Sequence, residues 1–529
     1  MNTRNAYALR KPSASAKERR PPAGGPYGLG TPTATLQSRA NVKAAPSGSS
    51  VIPVQQSSSK IPEKSRRHPL ANEFENARLA RCEKLLKGRF NVIVPTLKAI
   101  SALQHEEDFP ERAQTLIQER LGHPVPPELL DDAWVTGLNL KALYAYYAFA
   151  ALKASAAYFS DDLKNQAESA RNTSNFFLDC GFHAVNISPC ADGRLKGLMP
   201  YILRLPQSCF TRRMAYAGAL FDVETDVRHW IATELSRFRE GVPTTSDAGT
   251  RYLKMAVYHF SSSDPSHAGC SAHSSNEQIA IEAALERLNQ FRQAIENAFC
   301  CGASTDILLI GVDTDTDAIK VHVPDSNGDL SAERFVDSAG LYADTLHLSA
   351  DEARLAVYGA SSHVNNIDGS NVGHRQPHDG MRRLIANLLI NNLSQIQYVV
   401  EYYGGRYADI GHAERYLSVG DGFEEVQMRN VAYYAHLHTV EEGAADLDVG
   451  IKIFNRLNVD HGLPTPVAIH YRYDARVPDS RKRTVDKARR VRAAILARYP
   501  ELVSKEMLVC HLSIQDLPTG SPIEEVTAQ

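Results

Sequence analysis

The chain has 529 residues, 43% hydrophobic and 22% charged, which is the balance of a globular protein with about three domains. Its 58 basic and 61 acidic side chains nearly cancel, which argues against a protein whose whole surface binds nucleic acid. The longest apolar stretch, residues 142–159, is interrupted by Lys153, and no apolar signal segment is visible near residue 1, so we predict neither a membrane span nor secretion.

The N-terminal segment differs in charge from the rest of the chain. Residues 1–70 contain 12 Lys or Arg against two Glu, a local charge of +10, and since the whole chain carries -3 the remainder carries about -13. The same residues include nine Pro and ten Ser, a composition that cannot bury enough apolar surface to offset chain entropy. We therefore predict a disordered basic tail over residues 1–66. It is either a solvated arm or a tether for an acidic partner protein. Nucleic acid is a third, weaker alternative, because Tyr7 and Tyr27 are the tail's only aromatic residues.

Helical spacing dominates the next segment. Leu79, Cys82 and Leu86 recur every three to four residues, and residues 138–159 are rich in Ala, Tyr and Leu without Gly or Pro. This pattern predicts an all-α domain over residues 67–165.

Residues 166–412 alternate short apolar runs with amphipathic segments, which indicates an α/β domain. Residues 183–188, 253–259 and 306–312 each have the pattern of a strand. A helix is predicted after Ser274 and Ser275, which are followed at capping-box spacing by Glu277 and Gln278.

A similar order of patterns returns in residues 413–529. Residues 467–471 resemble the strand ending at His259, and both are followed by a polar loop, a helix and another strand. Further upstream, residues 435–441 match residues 184–190. Either the α/β unit is duplicated in diverged form, or two strand patterns coincide by chance.

Potential metal ligands follow two of the predicted strands. Cys190 comes directly after the first strand, His259 ends the next, and Cys270 lies in the loop behind it. Loops at the carboxyl ends of strands in open α/β sheets share one crevice. Two cysteines and one histidine are a ligand set of catalytic zinc with an open fourth position, although buried inert cysteines are common.

Asp192 and Arg194 follow Cys190 closely. An arginine paired to a carboxylate keeps it ionised and fixed, so Asp192 could orient a metal-bound water or itself bind the metal. The alternative is that Asp192 and Arg194 form an ion pair with a purely structural role. His267 competes with His259 because residues 267–270 read HxxC, but we favour His259, since a strand end holds a ligand more rigidly than a loop.

Longer segments carry a family resemblance. Residues 176–197, 258–273, 300–326 and 411–423 resemble the shell carbonic anhydrases of α-carboxysomes, a divergent branch of the β-class formerly called the ε class. The resemblance runs from about residue 67 to the end of the chain.

That resemblance implies an all-α N-terminal domain, a catalytic domain like that of β-carbonic anhydrases, and a degenerate C-terminal copy without metal, over residues 413–529. In the copy, Glu441 would stand opposite Cys190, His470 opposite His259, and Arg481 opposite Cys270.

The implied activity is hydration of CO2 to bicarbonate with one Zn2+ per chain, held by Cys190, His259 and Cys270. Zinc-bound hydroxide would attack CO2, with Asp192 orienting it and Arg194 holding Asp192. His412 is a candidate helper near the site, and a structural histidine is the alternative.

The resemblance also implies a location on the inner side of the carboxysome shell and a homodimer or higher oligomer. Through its tail the chain would bind Rubisco or shell proteins, with no role for nucleic acid or membrane. The rival hypothesis is a scaffold without catalytic activity.

Overall fold

A computed structural model describes residues 67–130, 137–170, 176–205, 211–241, 251–298, 304–325, 328–362, 379–409, 411–421, 428–435, 444–518 and 521–527. The predicted disordered tail, residues 1–66, lies outside the described residues. Among the helices in the described ranges, none is long and apolar enough to cross a membrane.

The N-terminal part is helical, as its apolar spacing predicts. Its helices are α1 (Glu73–Asn91), α2 (Ile93–Ser101), α3 (Phe109–Leu121) and α4 (Leu140–Ala170). The Asn72 side chain caps α1 by accepting a hydrogen bond from the Glu75 amide. Apolar side chains of these helices share one core with Tyr416, Ala432 and Ala468 of the C-terminal part.

A six-stranded sheet forms the middle of the chain, in the order β2-β1-β3-β4-β5-β6, with β1 to β4 parallel and β5 and β6 antiparallel. The strands are β1 (Ala184–Pro189), β2 (Thr211–Arg213), β3 (Arg251–Phe260), β4 (Ser304–Asp313), β5 (Ile319–His322) and β6 (Phe335–Asp337). The helices of this part are α5 (Phe176–Asp179), α6 (Val223–Arg239), α7 (Glu277–Ala298), α8 (Ser338–Thr345), α9 (Ala350–Ser362) and α10 (Asp379–Tyr403).

A second sheet follows, in the order β11-β10-β9-β7-β8, with β7 to β10 parallel and β11 antiparallel. Its strands are β7 (Tyr416–Gly420), β8 (Ala432–Ala435), β9 (Thr465–Tyr473), β10 (Leu508–Asp516) and β11 (Glu524–Glu525). Its helices are α11 (Ala444–Leu457), α12 (Ser480–Arg498) and α13 (Pro500–Ser504).

The structure confirms a helical N-terminal part and α/β sheets, and it corrects two local predictions. Asn276, and not a serine, caps α7, because its side chain accepts a hydrogen bond from the Ile279 amide. The segment predicted to match β1, residues 435–441, is also misassigned. Ala435 ends β8, which lies at an edge of the second sheet as β2 does in the first, whereas β7 lies one strand further in, as β1 does. Glu441 lies outside the described residues.

Candidate metal centre

Hydrogen bonds to β3 and to the segment after β2 fix the position of Cys190. Its amide donates to Val257 O of β3 at 2.9 Å, and the Ala191 amide donates to Tyr216 O at 2.9 Å. The chain then turns sharply, because Asp192 caps a short 3-10 turn of residues 193–195. These contacts hold the loop at the carboxyl end of the parallel strands, where site residues collect in such sheets.

His259 and Cys270 lie at the same end of the sheet as Cys190, His259 on a strand and Cys270 in a loop. His259 belongs to β3 and pairs with Val312 of β4, so its backbone is held on a central strand. Cys270 precedes the 3-10 turn of residues 271–273, and its carbonyl accepts hydrogen bonds from the amides of His273 and Ser275.

Cys190, His259 and Cys270 form a compact trio. One ligand atom from each lies within 4.8 Å of the others, and all three residues are buried. The two sulfur atoms are 3.8 Å apart. A tetrahedral zinc with Zn–S bonds of about 2.3 Å requires an S···S separation of about 3.8 Å. The trio therefore has the spacing of two thiolate ligands on one zinc ion.

The chemistry of the donor atoms also fits a metal. Neither ring nitrogen of His259 makes a hydrogen bond within the described part of the chain, although both are buried. Such unpaired buried polar atoms are costly and call for a partner. The hydrogen bond to Cys270, together with burial, raises the pKa of the Cys190 thiol well above its usual value. Two buried sulfurs at this distance can both ionise only if a cation lies between them.

Asp192 and Arg194 form a buried bidentate ion pair beside the trio. Arg194 Nε donates to Asp192 Oδ1 at 2.9 Å, and Nη2 donates to Oδ2 at 2.8 Å. Burial alone would raise the pKa of Asp192, but the charges of Arg194 and His412 hold it well below its usual range. Asp192 is thus ionised at neutral pH, and its Oδ2 lies 3.4 Å from His259 Nε2, facing the trio.

Arg194 also ties the pair to the loop that carries Cys270. Its guanidinium donates to the carbonyl oxygens of Ala268 and Gly269 and to Thr314 Oγ1. The position of Asp192 is therefore set by the same loop that positions a sulfur of the trio.

Glu414 is part of this arrangement and is absent from the sequence-based set of site residues. It is buried, and its Oε1 accepts a hydrogen bond from the Gly193 amide at 3.2 Å. A Cβ at position 193 would lie 2.4 Å from Glu414 Cγ, so only glycine fits between Asp192 and Arg194. Its position two residues after His412 was the available signal.

His412 joins Glu414 to Asp192. His412 Nδ1 lies 2.9 Å from Glu414 Oε1 and 3.9 Å from Asp192 Oδ2. Burial alone would lower the pKa of His412, but the charges of Asp192 and Glu414 raise it. The His412 side chain is 25% exposed, whereas that of Asp192 is 3% exposed, so His412 connects the buried carboxylate with the surface.

The structure brings together Cys190, His259, Cys270, Asp192 and Arg194, and it separates His267 from them. The His267 side chain is 82% exposed and contacts Asp264. Of the residues predicted to replace the ligands in the second copy, His470 is buried in β9, and Arg481 contacts Glu524 at the surface.

Fold and site together define an α/β protein with a candidate metal centre built on parallel strands. Three family models of the carboxysome shell carbonic anhydrases match the chain. They describe the N-terminal part (residues 68–160), the catalytic domain (172–412) and the C-terminal part (413–529).

Curated relatives agree with these matches. The carboxysome shell carbonic anhydrase of Halothiobacillus neapolitanus is 57% identical over 88% of this chain and 91% of its own length. That of Parasynechococcus marenigrum is 46% identical over 92% of this chain and 82% of its own length. That of Prochlorococcus marinus (strain MIT 9313) is 47% identical over 85% of this chain and 86% of its own length. The chain belongs to the carboxysome shell carbonic anhydrase family, and the protein is a carbonic anhydrase.

Proposed function

We propose that the protein catalyses the zinc-dependent, reversible hydration of CO2 to bicarbonate, with one Zn2+ held by Cys190, His259 and Cys270. The observation that carries this proposal is the buried trio, with sulfur atoms 3.8 Å apart and both His259 nitrogens without a hydrogen bond in the described structure. When bound, zinc acidifies a water molecule so that hydroxide is supplied at neutral pH.

Asp192 orients the attacking water in this proposal. Arg194 occupies one lone pair on each carboxylate oxygen, and Oδ2 keeps a further lone pair on the side of the trio. A carboxylate fixed in this way accepts a hydrogen bond in one orientation, which directs the water's oxygen toward the carbon atom of CO2. Arg194 is the positioning residue that holds Asp192.

His412 takes the released proton to solvent. It is the partly exposed group nearest to Asp192 in the described cluster, and Glu414 stabilises its charged form. Hydration releases one proton per turnover, which must leave before the next cycle.

Metal analysis and stopped-flow CO2 hydration of the purified protein test the proposal together. We expect about one zinc per chain and a rate that falls when a chelator removes the metal and returns when zinc is added. Protein without zinc and without hydration activity would favour the rival function, a scaffold without catalytic activity.

We further propose the domain limits 1–66, 67–165, 166–412 and 413–529, with the last domain a degenerate copy of the catalytic one. The support is topological: β8-β7-β9-β10 repeats the order and parallel direction of β2-β1-β3-β4, and an antiparallel strand flanks each set. The copy retains His470, but its nearest β10 neighbour is Ser513, whose hydroxyl lies 2.9 Å from His470 Nδ1. One histidine in place of three ligands should not hold zinc.

The relatives' name places those proteins at the carboxysome shell. We propose the same location for this chain, on the inner side of the shell, where it would supply CO2 to Rubisco. We also propose a homodimer or larger assembly, and attachment to Rubisco or a shell protein through the basic tail.

Deleting residues 1–60 tests the role of the tail. We expect the truncated protein to keep its CO2 hydration rate within about twofold and its melting temperature within about 2 °C, since a segment without a core adds little stability. We expect its recovery with purified carboxysomes to fall at least about tenfold. Loss of folding on truncation would contradict the tail hypothesis, and normal encapsulation would contradict the tether.

A further inference from the structure

Tyr433 of β8 carries a buried hydroxyl group without a partner. Its side chain is 2% exposed, and the hydroxyl oxygen makes no hydrogen bond to any described residue. A donor buried in this way is destabilising unless something else supplies an acceptor.

The backbone around Tyr433 is attached to the loop of the metal centre. The Tyr434 amide donates to Ala191 O at 3.1 Å, and the Asn430 amide donates to Gly193 O at 2.9 Å. Tyr433 also shares a hydrophobic cluster with Ala191, the residue after Cys190. The strand is therefore held against the segment that carries Cys190 and Asp192.

The ring of Tyr433 packs against α11. A Cβ on Gly450 would lie 2.9 Å from Cδ1 of Tyr433, so the ring packs directly on the helix backbone. A ring that packs tightly on a helix, on a strand that is itself held against the loop, has little freedom to turn its hydroxyl toward another acceptor.

The electrostatic surroundings of the phenol belong mainly to the same site. Burial raises the pKa of Tyr433 well above 10, and negative charge on Cys190, Asp446, Asp192 and Cys270 raises it further. The phenol is thus a neutral donor. Asp446 already accepts a hydrogen bond from the Ala217 amide at 2.7 Å, and the structure gives it no bond to Tyr433.

We propose that the Tyr433 hydroxyl donates a hydrogen bond to an oxygen atom of carbon dioxide or bicarbonate in the metal centre. Hydration turns neutral CO2 into an anion, so negative charge develops on these oxygens. A fixed donor binds the oxygens more strongly as this charge grows, and so it lowers the barrier. This inference rests on the proposed function. It gives the C-terminal part a group that touches the substrate.

Tyr433→Phe in the full-length, zinc-loaded protein tests the proposal, with Tyr147→Phe as the matched control. Tyr147 of α4 is also 2% exposed with an unbonded hydroxyl in the described structure, but it packs in the helical core. Two quantities are measured: kcat/KM for CO2 hydration, and bicarbonate affinity from the visible spectrum of the cobalt-substituted protein.

For Tyr433→Phe we expect both quantities to fall about tenfold, the scale of one hydrogen bond, while metal content and melting temperature stay unchanged. For Tyr147→Phe we expect neither to change.

Values for Tyr433→Phe within twofold of the parent, or an equal loss in both variants, would overturn the proposal. A parent protein without zinc or activity would overturn the proposed function as well, whereas an active parent with a normal Tyr433→Phe variant overturns this inference alone.

Discussion

Cys190→Ser is expected to abolish zinc binding and to lower the CO2 hydration rate by at least about 10³-fold. A serine hydroxyl ionises far less readily than a thiol and is a poor zinc ligand, so the trio would lose one of its two anionic donors. His259→Ala should have the same effect, because it removes the only neutral donor. Zinc per chain, measured after dialysis against a weak chelator, and the stopped-flow rate check both expectations.

Cys180→Ser is the matched control for that variant. Cys180 is a buried thiol in the same hydrophobic cluster as Cys190, and burial raises its pKa to about 11. It lies outside the trio, so zinc content and the rate per zinc should stay at the parent values while stability falls by about 1–3 kcal/mol for a newly buried hydroxyl. An active, zinc-containing Cys190→Ser protein would refute the assigned ligand set.

The parts of this centre that can be predicted from sequence are those set by short-range order. Cys190, Asp192 and Arg194 fall within five residues after a recognisable strand, so their common location follows from where a strand ends. A strand fixes a side chain better than a loop, which favours His259 over His267, and the structure puts His267 at the surface.

The parts that could not be predicted depend on contacts distant in sequence. Glu414 contacts Gly193 across 221 positions, and its place two residues after His412 does not reveal that contact. Similarly, β7 and not residues 435–441 has the position of β1 in the second sheet, because strand order is decided by pairing and not by a run of apolar residues. The sequence does not select the cap of α7, because Ser275 and Asn276 are both good N-cap residues and the backbone geometry decides between them.

Asp192→Ala is expected to keep zinc but to lower kcat by about 10²–10³-fold, since Asp192 is not one of the trio and acts on the orientation of water. The variant also leaves the Arg194 guanidinium buried without its carboxylate, which should cost about 3–5 kcal/mol of stability. Asp192→Asn preserves the shape of the side chain and should lose a similar share of the rate. Rates are therefore expressed per bound zinc, at a temperature where each variant is folded.

Asp226→Asn separates the loss of rate from the loss of stability. Asp226 forms an ion pair with Lys254, and both side chains are fully buried against the same sheet, outside the metal centre. Asp226→Asn therefore also leaves a buried cation without its carboxylate. We expect it to destabilise the protein as much as Asp192→Asn does, yet to leave the rate per zinc within about twofold of the parent. If the two variants lose rate equally, the Asp192–Arg194 pair serves folding alone. If Asp192→Asn alone is slow, the carboxylate takes part in the reaction.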